Sequence, residues 1–283
     1  MKSIGRLRSL LFAPAVRPDF VERLPERGAD AVVIDCEDAT PANAKAAGRA
    51  NAHRLAPQLA AQGCQVTVRV NAQPTEWFAD DIAEGLCPEL TAIVVPKVET
   101  VAGLDTVTSA LAAAGFGSLG VIAGIETALG LADARELLAH HQVVGGYFGA
   151  EDFIADMGGF RTDSNHEVAA ARSAVALAGR LAGVPVLDQI VADFRADDRF
   201  RREADQARAM GYAGKLCIHP AQVAIANAAF VPSADEVERA RRLLGAYESA
   251  SASGLAAIDF EGQMVDEPLA AQARRVIALA DGA

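Results

Sequence analysis

The sequence predicts an α/β protein: a (β/α)8 barrel of the TIM type followed by a C-terminal helical extension. Three observations predict it. Eight strand-like runs alternate with helical patterns along most of the 283 residues, and such alternation marks parallel strands joined by helices. Most runs are continuously apolar rather than strictly alternating, as strands covered on both faces must be. A doubly wound sheet usually has fewer parallel strands, and no Gly-x-Gly-x-x-Gly follows the first run, so the count favours closure into a barrel.

The first run, 9–13, follows Lys2, Arg6 and Arg8, which together mimic a short signal peptide. The apolar stretch is too brief for one and Pro14 interrupts it, so it reads as a strand. Further runs stand at 31–35, 66–71, 92–97, 120–126, 146–149, 186–190 and 215–219, with 186–190 carrying the weakest pattern. Helical patterns lie between them, at 18–27, 41–61, 101–114, 128–140, 167–182 and 200–210. Gly28, Gly115, Gly183 and Gly211 follow four of these, where helix C-caps prefer glycine. Trp77 and Phe78 start another helix and read as packing residues.

After 221–229 comes a longer helical pattern, 234–249, then a break at Ser251-Ala252-Ser253-Gly254. Residues 257–266 hold a tight turn around Glu261-Gly262, and a last helix is expected at 268–279. The organisation is therefore residues 1–230 as barrel and 231–283 as extension. A barrel closes without this tail, so the tail is expected to pack on a neighbouring subunit.

Composition narrows the function. The formal net charge is -11, and an acidic surface repels nucleic acid and anionic membranes, which excludes both as expected partners. No run approaches the ~20 apolar residues of a membrane helix. The cysteines, Cys36, Cys64, Cys87 and Cys217, form no C-x-x-C pair, so zinc and redox motifs are not expected and a reducing cytoplasmic setting fits.

Groups at the carboxyl ends of barrel strands face one pocket. Here they are Arg17 after the first strand, Asp35, Glu37 and Asp38 after the second, Arg69 with Asn71 on the third, and Lys97 on the fourth. Glu126 follows on the fifth, Glu151 and Asp152 on the sixth, and His219 on the eighth. A mouth with so many acids needs a cation, and two carboxylates with waters and substrate oxygens suit Mg²⁺. The pair expected to hold it is Glu126 and Asp152. Arg69 is the natural partner of a substrate carboxylate, since a guanidinium can grip both oxygens. Such a site suits a 2-oxo or 2-hydroxy acid and can stabilise an enolate. Each residue alone could equally form a structural ion pair; their convergence on one rim favours function. Glu37 and Asp38 are expected behind the ion, holding its waters, and Lys97 either reaches the pocket or pairs with Glu126. His219, before Pro220, reads as a strand terminator, and His140 and His141 as solvent-facing.

These residues carry a resemblance. The stretches are Arg8-Ser9-Leu10-Leu11-Phe12-Ala13-Pro14, Ile34-Asp35-Cys36-Glu37-Asp38-Ala39, Val68-Arg69-Val70-Asn71, Val95-Pro96-Lys97-Val98-Glu99, Ile125-Glu126-Thr127, Phe148-Gly149-Ala150-Glu151-Asp152, Gly214-Lys215-Leu216-Cys217-Ile218-His219-Pro220 and Met264-Val265-Asp266. In this order, over nearly the whole chain, they resemble the citrate lyase β-subunit-like enzymes of the HpcH/HpaI aldolase/citrate lyase superfamily. The resemblance implies a Mg²⁺-dependent barrel assembled as a homotrimer or hexamer. It implies cleavage or formation of 3-hydroxyacyl-CoA thioesters such as malyl-CoA or citramalyl-CoA, with an acyl-CoA and glyoxylate or pyruvate as the other side of the reaction. Glu126 and Asp152 match the metal ligands and Arg69 the substrate-carboxylate arginine. The N–H groups of Ala150, Glu151 and Asp152 match a second carboxylate cradle. Asp266 matches a catalytic aspartate that enters a neighbouring subunit's pocket and handles the proton. The first loop departs from the pattern: it reads Ala15-Val16-Arg17 where many relatives have glycine or asparagine before the arginine, and in the family this loop, with its substrate-side Arg17, lies near the thioester carrier. Alternatives are a hydrolase of the same thioesters, a citrate lyase β subunit, an aldolase of free 2-oxo acids and a non-catalytic acid-binding paralogue.

Overall fold

The computed structural model describes residues 4–281, which leaves Lys2 outside the described residues. The chain divides into two compact units, Met1–Ala228 and Ala229–Ala283. In the first, eight strands close into a barrel in sequence order. They are β1 (Ser9–Pro14), β2 (Ala31–Asp35), β3 (Val66–Arg69), β4 (Ala92–Val95), β5 (Gly120–Ile125), β6 (Val143–Phe148), β7 (Val186–Asp188) and β8 (Gly214–Cys217). Every neighbouring pair is parallel, and β1 pairs with β8 to complete the ring. The apolar runs are buried throughout β2, β4, β5 and β6. Leu10, Val33, Val94, Ile122, Tyr147, Leu187 and Leu216 fill the interior from seven different strands, so the barrel is a packed core and not a pore. The weak pattern at 186–190 corresponds to the shortest barrel strand, three residues long.

The connecting helices are α1 (Pro18–Val21), α2 (Lys45–Ala61), α3 (Phe78–Glu84), α4 (Val101–Ala113), α5 (Ala128–Ala132), α6 (Ala134–Leu138), α7 (Ala150–Asp156), α8 (Ala169–Ala182), α9 (Asp197–Met210) and α10 (Pro220–Ala229). Thr100 and Thr127 cap α4 and α5, each accepting an N–H three residues on at 3.1 Å. Gly28, Gly115, Gly183 and Gly211 all take left-handed φ values between 69° and 97°, the conformation for which glycine is chosen at helix ends. The expected helix 128–140 is broken at Asp133 into α5 and α6. α7 has no counterpart among the expected helices.

The second unit holds α11 (Ala234–Ala252), β9 (Ile258–Phe260), β10 (Gln263–Val265) and α12 (Glu267–Ala280). Ser233 and Glu236 form a capping box at the start of α11, at 3.2 and 2.8 Å. The turn at Glu261-Gly262 joins β9 and β10 as an antiparallel hairpin, with φ of 56° and 79° at the two corner residues. Two successive positive φ values are the mark of the two-residue turn that matches strand twist. Ala240, Leu243, Tyr247, Val265, Ala270 and Ala273 make this unit's own core.

Candidate active site

The carboxyl ends of the strands open into a cavity of about 400 Å³. Its lining includes Asp35, Asp38, Arg69, Glu126, Ala150, Glu151 and Asp152. Asp35 ends β2 and is 1% exposed. Its carboxylate takes two hydrogen bonds from Arg69, from Nε at 2.7 Å and Nη2 at 2.6 Å. Arg69 Nη1 lies 2.9 Å from Glu37 Oε2. The guanidinium also lies over the Phe12 ring, 5.1 Å from its centroid. Its Nε–Nη2 edge therefore belongs to Asp35 and Nη1 already faces Glu37, so an incoming acid would share the Nη1–Nη2 edge with these two carboxylates. Burial disfavours the guanidinium charge, but Asp35 and then Glu37 outweigh it and hold the group well above its usual range.

Lys97 follows Pro96 at a positive φ of 50°. A side chain in this region is strained by on the order of 1 kcal/mol or more, and the conformation aims both the backbone and the ammonium at acids. Its N–H donates to Glu126 Oε1 at 2.7 Å, and Nζ donates to Glu37 Oε1 at 2.6 Å. Nζ is also 3.5 Å from Asp152 and 3.7 Å from Asp38. The sequence left two options for Lys97, the pocket or Glu126; the ammonium bridges Glu37, Asp38 and Asp152, while its backbone reaches Glu126.

Glu126 follows β5 and is 2% exposed. Burial raises its carboxyl to about 7, helped by the charges of Glu37 and Asp152 and opposed by Arg69 and Lys97. Burial likewise raises the Glu37 carboxyl, against the pull of Arg69 and Lys97, and the buried Glu37 Oε2 meets Arg69 Nη1 as an ion pair without hydrogen-bond geometry. Five acids, Asp35, Glu37, Asp38, Glu126 and Asp152, thus meet two cations, Arg69 and Lys97, a surplus of negative charge that suits a bound cation.

Asp152 reaches the mouth from the first turn of α7. The helix begins after Gly149 with no side-chain cap, so the N–H groups of Ala150, Glu151 and Asp152 have no intrahelical acceptor. Gly149 is required by a close approach: a Cβ there would overlap Glu126 Oε2 and lie 2.6 Å from Glu126 Cβ. Arg161 fixes Glu151 at 3.0 Å.

Three expected rim residues lie elsewhere. Asn71 turns from the mouth and binds Asp81 through its N–H and Nδ2, at 2.7 and 2.6 Å. Arg17 is not among the lining residues; it pairs with Asp19 at 2.8 Å and stacks on Phe20. His219 stacks on Phe194 and accepts from Ala221 N–H at 3.2 Å. Asp266 stands at the N-cap position of α12, in the second unit. His140 is also not the solvent-facing residue expected: its side chain is 5% exposed and lies 3.2 Å from Asp105.

The family model described as HpcH/HpaI aldolase/citrate lyase matches residues 8–220. The chain belongs to this family. The match to the HpcH/HpaI aldolase/citrate lyase model spans all eight barrel strands and every cavity residue named above. Among relatives, the citrate lyase subunit beta-like protein of Deinococcus radiodurans is 49% identical over 275 residues, covering 96% of each chain. A (3S)-malyl-CoA thioesterase of Cereibacter sphaeroides is 32% identical over 274 residues, with 97% of this chain and 94% of that one covered. The structure of CitE from Mycobacterium tuberculosis in complex with magnesium, acetoacetate and coenzyme A superposes with a TM-score of 0.82 at 31% identity. It covers 99% of this chain and all (100%) of that one.

Sequence reasoning missed Phe12, Tyr147, Ile190, Leu216 and Ile218 as lining residues. All sit in or just after strands as ordinary apolar or aromatic residues, and only their inward parity in the barrel marks them. Among the described residues no three acidic, histidine or cysteine side chains converge as an all-protein metal cage, and no helix is long and apolar enough to cross a membrane.

Proposed function

We propose that this chain is a Mg²⁺-dependent carbon–carbon lyase acting on a 3-hydroxyacyl-CoA thioester of the malyl-CoA or citramalyl-CoA type. Its products would be an acyl-CoA and glyoxylate or pyruvate. The observation that carries the reading is the placement of Glu126, Asp152 and Arg69 on one cavity. Mg²⁺ favours hard oxygen ligands and keeps several waters, so two carboxylates without a full cage fit it. The surplus of acids over cations and the raised Glu126 carboxyl fit it too. The magnesium and coenzyme A of the CitE structure support the same assignment.

Glu126 and Asp152 would hold the ion, which supplies positive charge to the oxygens of the bound acid. The outer edge of Arg69 and the N–H groups of Ala150, Glu151 and Asp152 would bind and orient the carboxylate of the acid. In the cleavage direction the 3-hydroxyl loses its proton and the C2–C3 electron pair moves to the carbon beside the thioester. That carbon then takes a proton, which leaves an acyl-CoA and a 2-oxo acid. Asp266, in the extension, is assigned the proton on that carbon, acting in a neighbouring subunit's pocket of a trimer or hexamer. Thioester hydrolysis is the second reading, favoured by the relative that is a (3S)-malyl-CoA thioesterase.

Incubation with Mg²⁺ and malyl- and citramalyl-CoA, followed by mass spectrometry, separates the readings. Acyl-CoA with 2-oxo acid marks lyase chemistry; free CoA with the intact hydroxy acid marks hydrolysis; no turnover of either would end both. Asp266→Ala should leave Mg²⁺ affinity intact and lower turnover by about 10²–10⁴-fold, the usual worth of a proton-transfer group. Full activity in that variant would remove Asp266 from the site.

A further inference from the structure

Glu126 presents two unequal oxygens. Oε1 accepts two hydrogen bonds, from Lys97 N–H at 2.7 Å and from the Tyr147 hydroxyl at 3.0 Å. Oε2 accepts none among the described residues, and it faces Gly149, where a side chain would collide with it. Tyr147 is 1% exposed and lies on β6, in register with Gly124 on β5. Its phenol crosses the space that a side chain at 124 would take, since a Cβ there would stand 2.6 Å from the ring's Cζ. A buried hydroxyl needs a partner, and among the described residues Tyr147 finds it in Glu126. Gly124 thus makes room for the ring, and the ring delivers a donor to one chosen oxygen.

We infer that Tyr147 is a positioning residue that pins Oε1 of Glu126 and leaves Oε2 as the oxygen offered to the divalent ion. The inference rests on the reading of Glu126 as a metal ligand. An outer group that orients a ligand is worth about 10–100-fold in metal affinity when removed. Tyr147→Phe keeps the ring and its packing and removes only the donor. Calorimetric titration with MgCl₂ should show affinity about 10–100-fold weaker than wild type. The melting temperature without metal should stay close to wild type, and turnover should recover at saturating Mg²⁺. A purely structural role would do the reverse, lowering the metal-free melting temperature and sparing affinity. Gly124→Ala is the second variant. It displaces the phenol by crowding and should weaken Mg²⁺ binding to a similar degree. Wild-type affinity in Tyr147→Phe would overturn the inference while leaving Glu126 as a ligand. Failure of the wild-type protein to bind Mg²⁺ would overturn the ligand assignment itself.

Discussion

Glu126→Gln should abolish Mg²⁺ binding and turnover and, at the same time, make the metal-free barrel more stable at pH 8. The amide keeps an acceptor for Lys97 N–H and for the Tyr147 hydroxyl, but it removes the charge that binds a cation. The stability gain follows from burial. The carboxyl is raised from 4.5 to about 7 in the folded chain, so between those values the folded state holds a proton that the unfolded state has lost. Wild-type stability from this group is full below about 4.5, falls as pH rises to about 7, and is level above it. A shift of that size corresponds to on the order of 3 kcal/mol. Denaturant titrations with a chelator at pH 5 and pH 8 test it: the variant should gain at pH 8 and little at pH 5. Equal loss at both values would show that Glu126 is not held under strain. Retained Mg²⁺ affinity would end the metal assignment.

Lys215→Met should cost about 3–5 kcal/mol of stability, the penalty for opening a buried ion network from one side. Lys215 on β8 is fully buried, with 0% exposure. Its ammonium donates to Asp188 at 2.7 Å, to the Gln189 carbonyl at 2.7 Å and to Glu203 at 3.3 Å. Arg172 holds Asp188 from α8 at 2.9 and 3.0 Å, and Arg199 holds Glu203 within α9 at 2.8 Å. The network locks α8 and α9 to the barrel wall. Burial works against the Glu203 charge, but Lys215 and then the bonds from Arg199, Asn165 and Gln189 overcome it and lower the carboxyl to about 2. A depressed carboxyl stabilises above the ordinary value near 4.5 and loses that contribution as pH falls toward about 2. The variant should therefore be less stable at pH 7 and show a shallower loss between pH 4.5 and pH 2. An unchanged denaturation midpoint at pH 7 would show that the network does not hold the wall.

Much of the fold was legible because its signals are local. An apolar run of about five residues must be covered, and left-handed glycines such as Gly183 and Gly211 end the helices before them. The acids at positions 35, 37, 38, 126 and 152 were legible as a group because the ends of parallel strands share one rim. α7 was not legible: the expected strand stops at 149 and Ala150–Asp156 is too short for a clear helical pattern, yet its first turn sets the bare N–H groups at the mouth. Asn71 looked like a rim residue by its place after β3, but Asp81, ten positions on, turns it away.

By itself the sequence determined the number and order of the barrel strands, their closure into a barrel, and the acids gathered on its rim. These follow from burial and backbone geometry, which a residue and its near neighbours decide. Only the tertiary structure decided which of those side chains are already engaged. Arg69 is half committed to Asp35, Lys97 spans three acids, and Tyr147 rather than a conspicuous polar residue steadies Glu126. Each of these depends on distances between residues 20 to 60 positions apart in the chain. Electrostatics and hydrogen bonding act over a few ångströms of space, and closure of the ring is what sets those distances.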